Sequence, residues 1–165
     1  MKIIGLLTLS AILLCPISIA QTFPELKKQF QSEQNTIKKL NLLEQANNEL
    51  NQYSLLQQTE YWFLLGIMLE KQNQMNDANG VFTKAINIYT KHKLPPSSLL
   101  VNLLIERSRV VTNIDFYNKS PCKDRSQAFL FARQLAQSSL IAKSIAYYAK
   151  CLQTQEHGIS KSLKL

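Results

Sequence analysis

Beyond residue 20 this chain has only three glycines, Gly66, Gly80 and Gly158, and its prolines fall between apolar-periodic segments. That pattern confines it to helices. Pro24 opens one segment, Pro95 and Pro96 separate a second block, and Pro121 opens a third. Proline is tolerated in the first turn of a helix and disrupts its interior. No alternating polar and apolar run reaches useful strand length. The spacing predicts helices near 24–33, 36–52, 57–72, 76–91, 97–117, 123–136 and 139–153, about seven in all. Asp77, Ser97 and Ser138–Ser139 suit helix starts, because their side chains can accept bonds from the free N–H groups of a first turn. Connections of roughly three to six residues make successive helices antiparallel neighbours.

One pair of segments carries more information than the rest. Residues 61–85 read YWFLLGIMLEKQNQMNDANGVFTKA, with Trp62, Leu65, Gly66, Leu69, Ala78, Phe82 and Ala85 at set offsets. The pattern resembles the tetratricopeptide repeat, W-x2-L-G-x2-Y followed by A-x3-F and a further small residue, with Leu69 replacing the tyrosine. In that family the large residues fill the gap between two antiparallel helices, and the small ones let the backbones approach. Upstream, Phe23, Leu26, Phe30, Leu43 and Ala46 repeat the spacing in degenerate form, with Lys27 and Lys39 where Gly66 and Ala78 stand. Downstream, Ala128 and Ala132 supply the small contacts of another pair whose first helix, 98–117, is long for the pattern. Leu140, Ser144 and Tyr147 match the spacing of Trp62, Gly66 and Leu69 in a last helix with no second helix after it. The resemblance implies an all-α fold, a short α-solenoid of antiparallel helix pairs, because a single repeat cannot bury its own apolar face. The competing reading is an ordinary helical bundle in which Trp62 and Phe82 are simply core.

The first twenty residues carry Lys2, an apolar run from Ile3 to Leu14 and a small-x-small Ser18-Ile19-Ala20 site, the pattern of a cleaved secretory signal peptide. Leu14 before Cys15 and Pro16 after it rule out a lipoprotein site. The expected domains are a signal peptide at 1–20, a helical repeat domain at 21–153 and a polar tail at 154–165. The expected location is periplasmic or secreted, with no membrane-spanning segment after cleavage.

Without Lys2 the chain keeps 18 basic against 11 acidic residues, a net +7. Residues 21–83 have a net −2 and residues 84–165 a net +9. For an exported chain the basic half favours an acidic partner or an anionic surface. It has no Lys/Arg run, zinc-finger signature or aromatic-basic interleaving, so nucleic acid is not expected as a partner.

Cys122 and Cys151 remain after cleavage, an even pair suited to an oxidising compartment. Cys122 stands at the start of one predicted helix and Cys151 at the end of the next. At 1.5 Å per residue the chain returns to the same level after one helix down and one helix back. An intramolecular disulfide is expected, against two buried thiols or an intermolecular bridge.

Catalytic and metal chemistry are not expected. His92 and His157 are the only histidines, and no C-x-x-C, H-E-x-x-H, G-x-S-x-G, P-loop or dinucleotide fingerprint occurs. The carboxylates Glu60, Glu70, Asp115 and Asp124 have no spacing that demands acid–base work. No cofactor is implied. The resemblance instead implies a groove lined by the first helix of each repeat. Its positions here are Glu60, Phe63, Ile67, Glu70 and Lys71, then Ile141, Ile145 and Tyr148. Core packing is the alternative role for each, above all for Phe63 and Ile67. The implied function is a non-catalytic scaffold for a protein or peptide partner. An alternative arises from CKDRSQAFLFARQLAQSSLIAKSIAYYAKCL, which is similar to the periplasmic helical input regions of bacterial diguanylate cyclases. On that reading the chain is a stand-alone or truncated sensory domain.

Overall fold

The computed structural model describes residues 22–114 and 120–162, the side chains of Ser120 and of 154–162 excepted. The signal-peptide segment, Asp115 and the side chain of His157 lie outside the described residues. Seven α-helices run through the described part: α1 (Phe23–Ser32), α2 (Thr36–Asn48), α3 (Leu55–Lys71), α4 (Met75–Lys91), α5 (Ser98–Ile114), α6 (Ser120–Gln134) and α7 (Ser138–Ser162). A single 3-10 turn, Leu50–Gln52, follows α2, and no strand occurs among these residues.

Local chemistry sets most helix starts. The Asn35 side chain accepts from the N–H groups of Ile37 and Lys38 at 2.9 and 3.1 Å. Ser54 and Gln57 bond reciprocally, Gln57 N–H to Ser54 Oγ at 3.3 Å and Ser54 N–H to Gln57 Oε1 at 2.9 Å. Such a box satisfies two donors that the helix itself leaves free. Ser97 caps α5 as expected, accepting from the Leu100 N–H at 3.3 Å. Asp77 does not cap α4. The helix begins earlier, after Gln74, and Asp77 sits in its first turn, where a negative charge still favours the helix N-terminus. The turns after α3, α4 and α6 place Asn73, Lys93 and Ala136 at positive φ, where glycine would be the easier residue.

Helix α2 ends at Asn48, ahead of the 3-10 turn, rather than near 52, and α6 begins at Ser120 rather than near 123. The expected end of α5 near 117 lies outside the described residues. Helix α7 does not stop near 153 but continues to Ser162, through the segment expected as a polar tail.

Each helix packs on the next in sequence, and α3 also touches α5, as α5 touches α7. The odd-numbered helices therefore form one layer and the even-numbered helices the other, a helical-repeat arrangement. On the even side α4 and α6 stand apart over α5, leaving a groove of ≈ 500 Å³ between them.

The core has two parts. One gathers Phe23, Leu26, Phe30, Leu43, Ala46, Tyr53, Tyr61 and Met68 from α1 to α3. The other runs from Ala78, Phe82 and Ala85 through Leu103, Leu104 and Ile105 to Ala128 and Ala132. The degenerate upstream spacing thus marks real core positions, and so do Ala128 and Ala132. Gly66 is needed where α3 crosses α4, since a Cβ there would lie 2.7 Å from Phe82 Cζ. Ser144, in the matching place on α7, is fully buried. Trp62 differs from expectation in being only half-buried. Its ring touches both core clusters, and Lys84 Nζ sits 3.6 Å from its centre. Leu65 packs on the first cluster and Leu69 on the second.

Cys122 and Cys151 form a disulfide, S–S 2.14 Å and Cα–Cα 5.6 Å, 29 residues apart. It ties the start of α6 to the middle of α7 rather than to its end. The levels match as expected, and α7 overshoots.

Candidate functional site

The odd-numbered layer carries a connected polar network. On α3, Glu60 accepts from Lys27 of α1 at 2.8 Å. Three turns further along, Glu70 pairs with Arg109 of α5, whose Nη2 donates to Glu70 Oε2 at 2.5 Å. Arg109 also donates from Nε to Glu106 Oε2 at 2.9 Å, within α5. Lys143 of α7 donates to Glu106 Oε1 at 3.2 Å and to Asn102 Oδ1 at 2.9 Å. These bonds join α1 to α3, and α3 through α5 to α7.

Charge is layered by depth in this network. The side chains of Glu70 and Glu106 are 9% and 11% exposed, while those of Arg109 and Lys143 are 39% and 38% exposed. Carboxylates thus lie beneath and cation heads lie above. Partly solvated ammonium and guanidinium groups can donate to a partner's carbonyl or carboxylate oxygens without first breaking every internal bond.

The Glu70 carboxylate feels that placement. Burial pushes the Glu70 carboxyl above its usual value of 4.5; Arg109 opposes the shift and Glu106 adds to it. Arg109 shifts upward as well, although burial works against its charge, because the bonds and fields of Glu106 and Glu70 outweigh burial. The two partners therefore disagree about the pair. Glu70 loses more hydration than one shared guanidinium returns, whereas Arg109 has two carboxylates. Glu70 is the more enclosed of the two side chains, 9% exposed against 39% for Arg109.

With its pKa raised, Glu70 binds its proton more tightly in the folded chain than in the unfolded one. Its contribution to stability is present in full below the ordinary value and is lost as pH rises through the raised one. Glu70→Gln, which cannot ionise, is expected to show a shallower loss of stability upward from pH 4.5 than the parent chain. Urea midpoints measured across that range would check this, and parallel curves would contradict it.

The sequence-derived positions are not all on this network. Glu60 and Glu70 are part of it, and Lys71 is exposed at the end of α3. Phe63 and Ile67 are partly buried and pack against the second core cluster, with the Phe63 and Phe82 ring centres 6.2 Å apart. Ile141 also packs on that cluster, whereas Ile145 is 48% exposed. Tyr148 stacks on Phe129 of α6 at 5.9 Å between ring centres, and so belongs to the α6–α7 contact.

Sequence reasoning missed Lys27, Asn102, Glu106, Arg109 and Lys143. A signal existed for three of them. Asn102, Glu106 and Arg109 recur four and three residues apart in α5, beside the fully apolar Leu103, Leu104 and Ile105. A polar stripe on such a helix marks a face that meets polar partners.

Among the described residues no group of three or more His, Cys, Asp or Glu side chains is placed to hold a metal ion, and no helix is long and apolar enough to cross a membrane. No protein-family model, curated protein or solved structure matches the chain.

Proposed function

We propose that this chain is a tetratricopeptide-like, non-catalytic scaffold that binds a protein or peptide segment along the odd-helix face. The observation that carries the reading is the network from Glu70 through Arg109 and Glu106 to Lys143. It links three successive odd helices while leaving the cation heads partly in solvent. A peptide brings carbonyl groups, and often carboxylates, to such heads. Ile145 of α7 and Lys71 of α3 add an exposed apolar and an exposed basic side chain on the same helices. The fold supports the repeat reading through the seating of Phe82 under Gly66, which follows the family's spacing.

A peptide-display selection against residues 21–165 tests this. Enriched peptides are expected to protect amides of α3, α5 and α7 from hydrogen exchange. Lys71→Glu combined with Ile145→Ser should weaken them without changing the melting temperature. Protection confined to α2, α4 and α6 would overturn the assignment of the face.

The same reading places the protein in the periplasm or outside the cell. The Lys2, Ile3–Leu14 and Ala20 pattern supports export, and the Cys122–Cys151 bridge supports an oxidising compartment. Mass spectrometry of the exported protein is expected to give Gln21 as its first residue. An intact Met1 start in a membrane fraction would replace this reading with an anchored protein.

A further inference from the structure

Arg125 of α6 is 8% exposed, and among the described residues every group bonded to it is neutral. Its Nη2 donates to Thr112 Oγ1 at 2.8 Å and its Nε to Ser108 Oγ at 3.3 Å. Its Nη1 donates to Cys151 Sγ at 3.5 Å. The other arginines of the interior are matched by carboxylates, Arg107 by Asp124 and Arg109 by Glu70 and Glu106. A buried cation without a counter-charge is costly, because its lost hydration is not replaced by an ionic partner. Burial accordingly pushes the Arg125 guanidinium below its ordinary range. An anion on the Cys151 sulfur would supply the missing charge.

The two cysteines of the bridge are unequal in exposure. Cys151 is 1% exposed, whereas Cys122 is partly exposed. An incoming thiolate therefore meets Cys122, and Cys151 becomes the leaving group. We propose that the Cys122–Cys151 bond is a thiol-exchange site for an external dithiol, with Cys122 as the attacked sulfur and Arg125 as the group that receives the Cys151 thiolate.

The electrons and protons balance as follows. One thiolate of the dithiol bonds to Cys122 Sγ, the S–S bond breaks, and its electron pair stays on Cys151 Sγ beside the guanidinium. The second thiolate then attacks its own partner sulfur in the mixed disulfide, and Cys122 leaves. Of the two protons the dithiol gives up, one goes to Cys122 and one to solvent. The dithiol ends as a disulfide and the protein gains two electrons. Exchange is faster and more favourable when the leaving thiolate is stabilised, which is the part assigned to Arg125. The reduced chain has lost the bond between α6 and α7 and gained an ion pair in its place.

Two measurements test this on the oxidised full chain. Glutathione, as a single-thiol probe, is added, the reaction is quenched in acid, and the adduct is located by peptide mass spectrometry. The adduct is expected on Cys122; an adduct on Cys151 would overturn the proposal, and this measurement needs no variant. The equilibrium constant for reduction by dithiothreitol is then compared with that of Arg125→Met. The variant is expected to be reduced about tenfold or more less favourably, as loss of a close opposite charge implies. Arg133→Met, which removes a charge elsewhere on α6, should match the parent chain. Equal constants for the parent and a folded Arg125→Met would sink the role of Arg125.

Discussion

Replacing Phe82 by alanine is expected to lower the unfolding free energy by about 3–5 kcal/mol. Phe82 is fully buried, and its ring occupies the space that Gly66 leaves open on α3. The loss combines the transfer of an aromatic ring with a cavity that can close only if α3 and α4 move together. Gly66 is backbone at that point and has no side chain to swing into the void. The α5 side is equally constrained, since Val101 and Ile105 have no exposed surface. For a chain of this length the melting temperature should fall by about 10 °C. Thermal and urea unfolding of the variant check this together. Stability near that of the parent chain would mean that the α3–α4 crossing is not seated on this ring, and the repeat reading would go with it.

Removing the disulfide is the second large effect. The double variant Cys122→Ala and Cys151→Ala is expected to lose about 2–4 kcal/mol, because the bond closes a loop whose ends are 29 residues apart and thereby restricts the unfolded chain. The melting temperature should fall by about 5–10 °C. The parent chain should run as a monomer on a non-reducing denaturing gel and show no titratable thiol. Two titratable thiols, or a disulfide-linked dimer, would contradict the bridge. Alanine is the informative replacement, since it leaves no thiolate to compensate Arg125 and so isolates the tether.

Helix positions could be read from the sequence where the signal was local. Pro24, Pro95, Pro96 and Pro121 mark where helices cannot continue, and Phe23, Leu26 and Phe30 mark one buried stripe. The disulfide was legible because equal helix lengths constrain levels, even though α7 runs beyond Cys151. The polar network was not legible. Glu70 and Arg109 are 39 residues apart, and Lys143 and Glu106 are 37 apart. Nothing in the local spacing says that these side chains meet, because their meeting depends on α3, α5 and α7 sharing one layer. Tyr148 shows the same dependence. Its offset fits a groove position, and its stacking on Phe129 of α6 is a contact that spacing within one helix does not reveal. Trp62 is half-buried with Lys84 over one face of its ring, a cation–aromatic contact that simple burial patterns do not anticipate.

Trp62 is also where the two parts of the core meet, and that has a consequence for how the molecule comes apart. Helices α1 and α2 hold to the rest mainly through α3, whose one face closes their cluster while the other closes the cluster of α4 to α7. In a linear stack each unit is stabilised by its neighbour, so a weak joint sets the place of first failure. Here the thirty residues from Phe23 to Gln52 can detach as one cooperative block while α4 to α7, tied by their own core and the disulfide, stay folded. Amides of α1 and α2 should then exchange with solvent at one shared rate, well ahead of those in α5. The α3 helix, serving as a wall to both halves, converts damage on either side into exposure of the other.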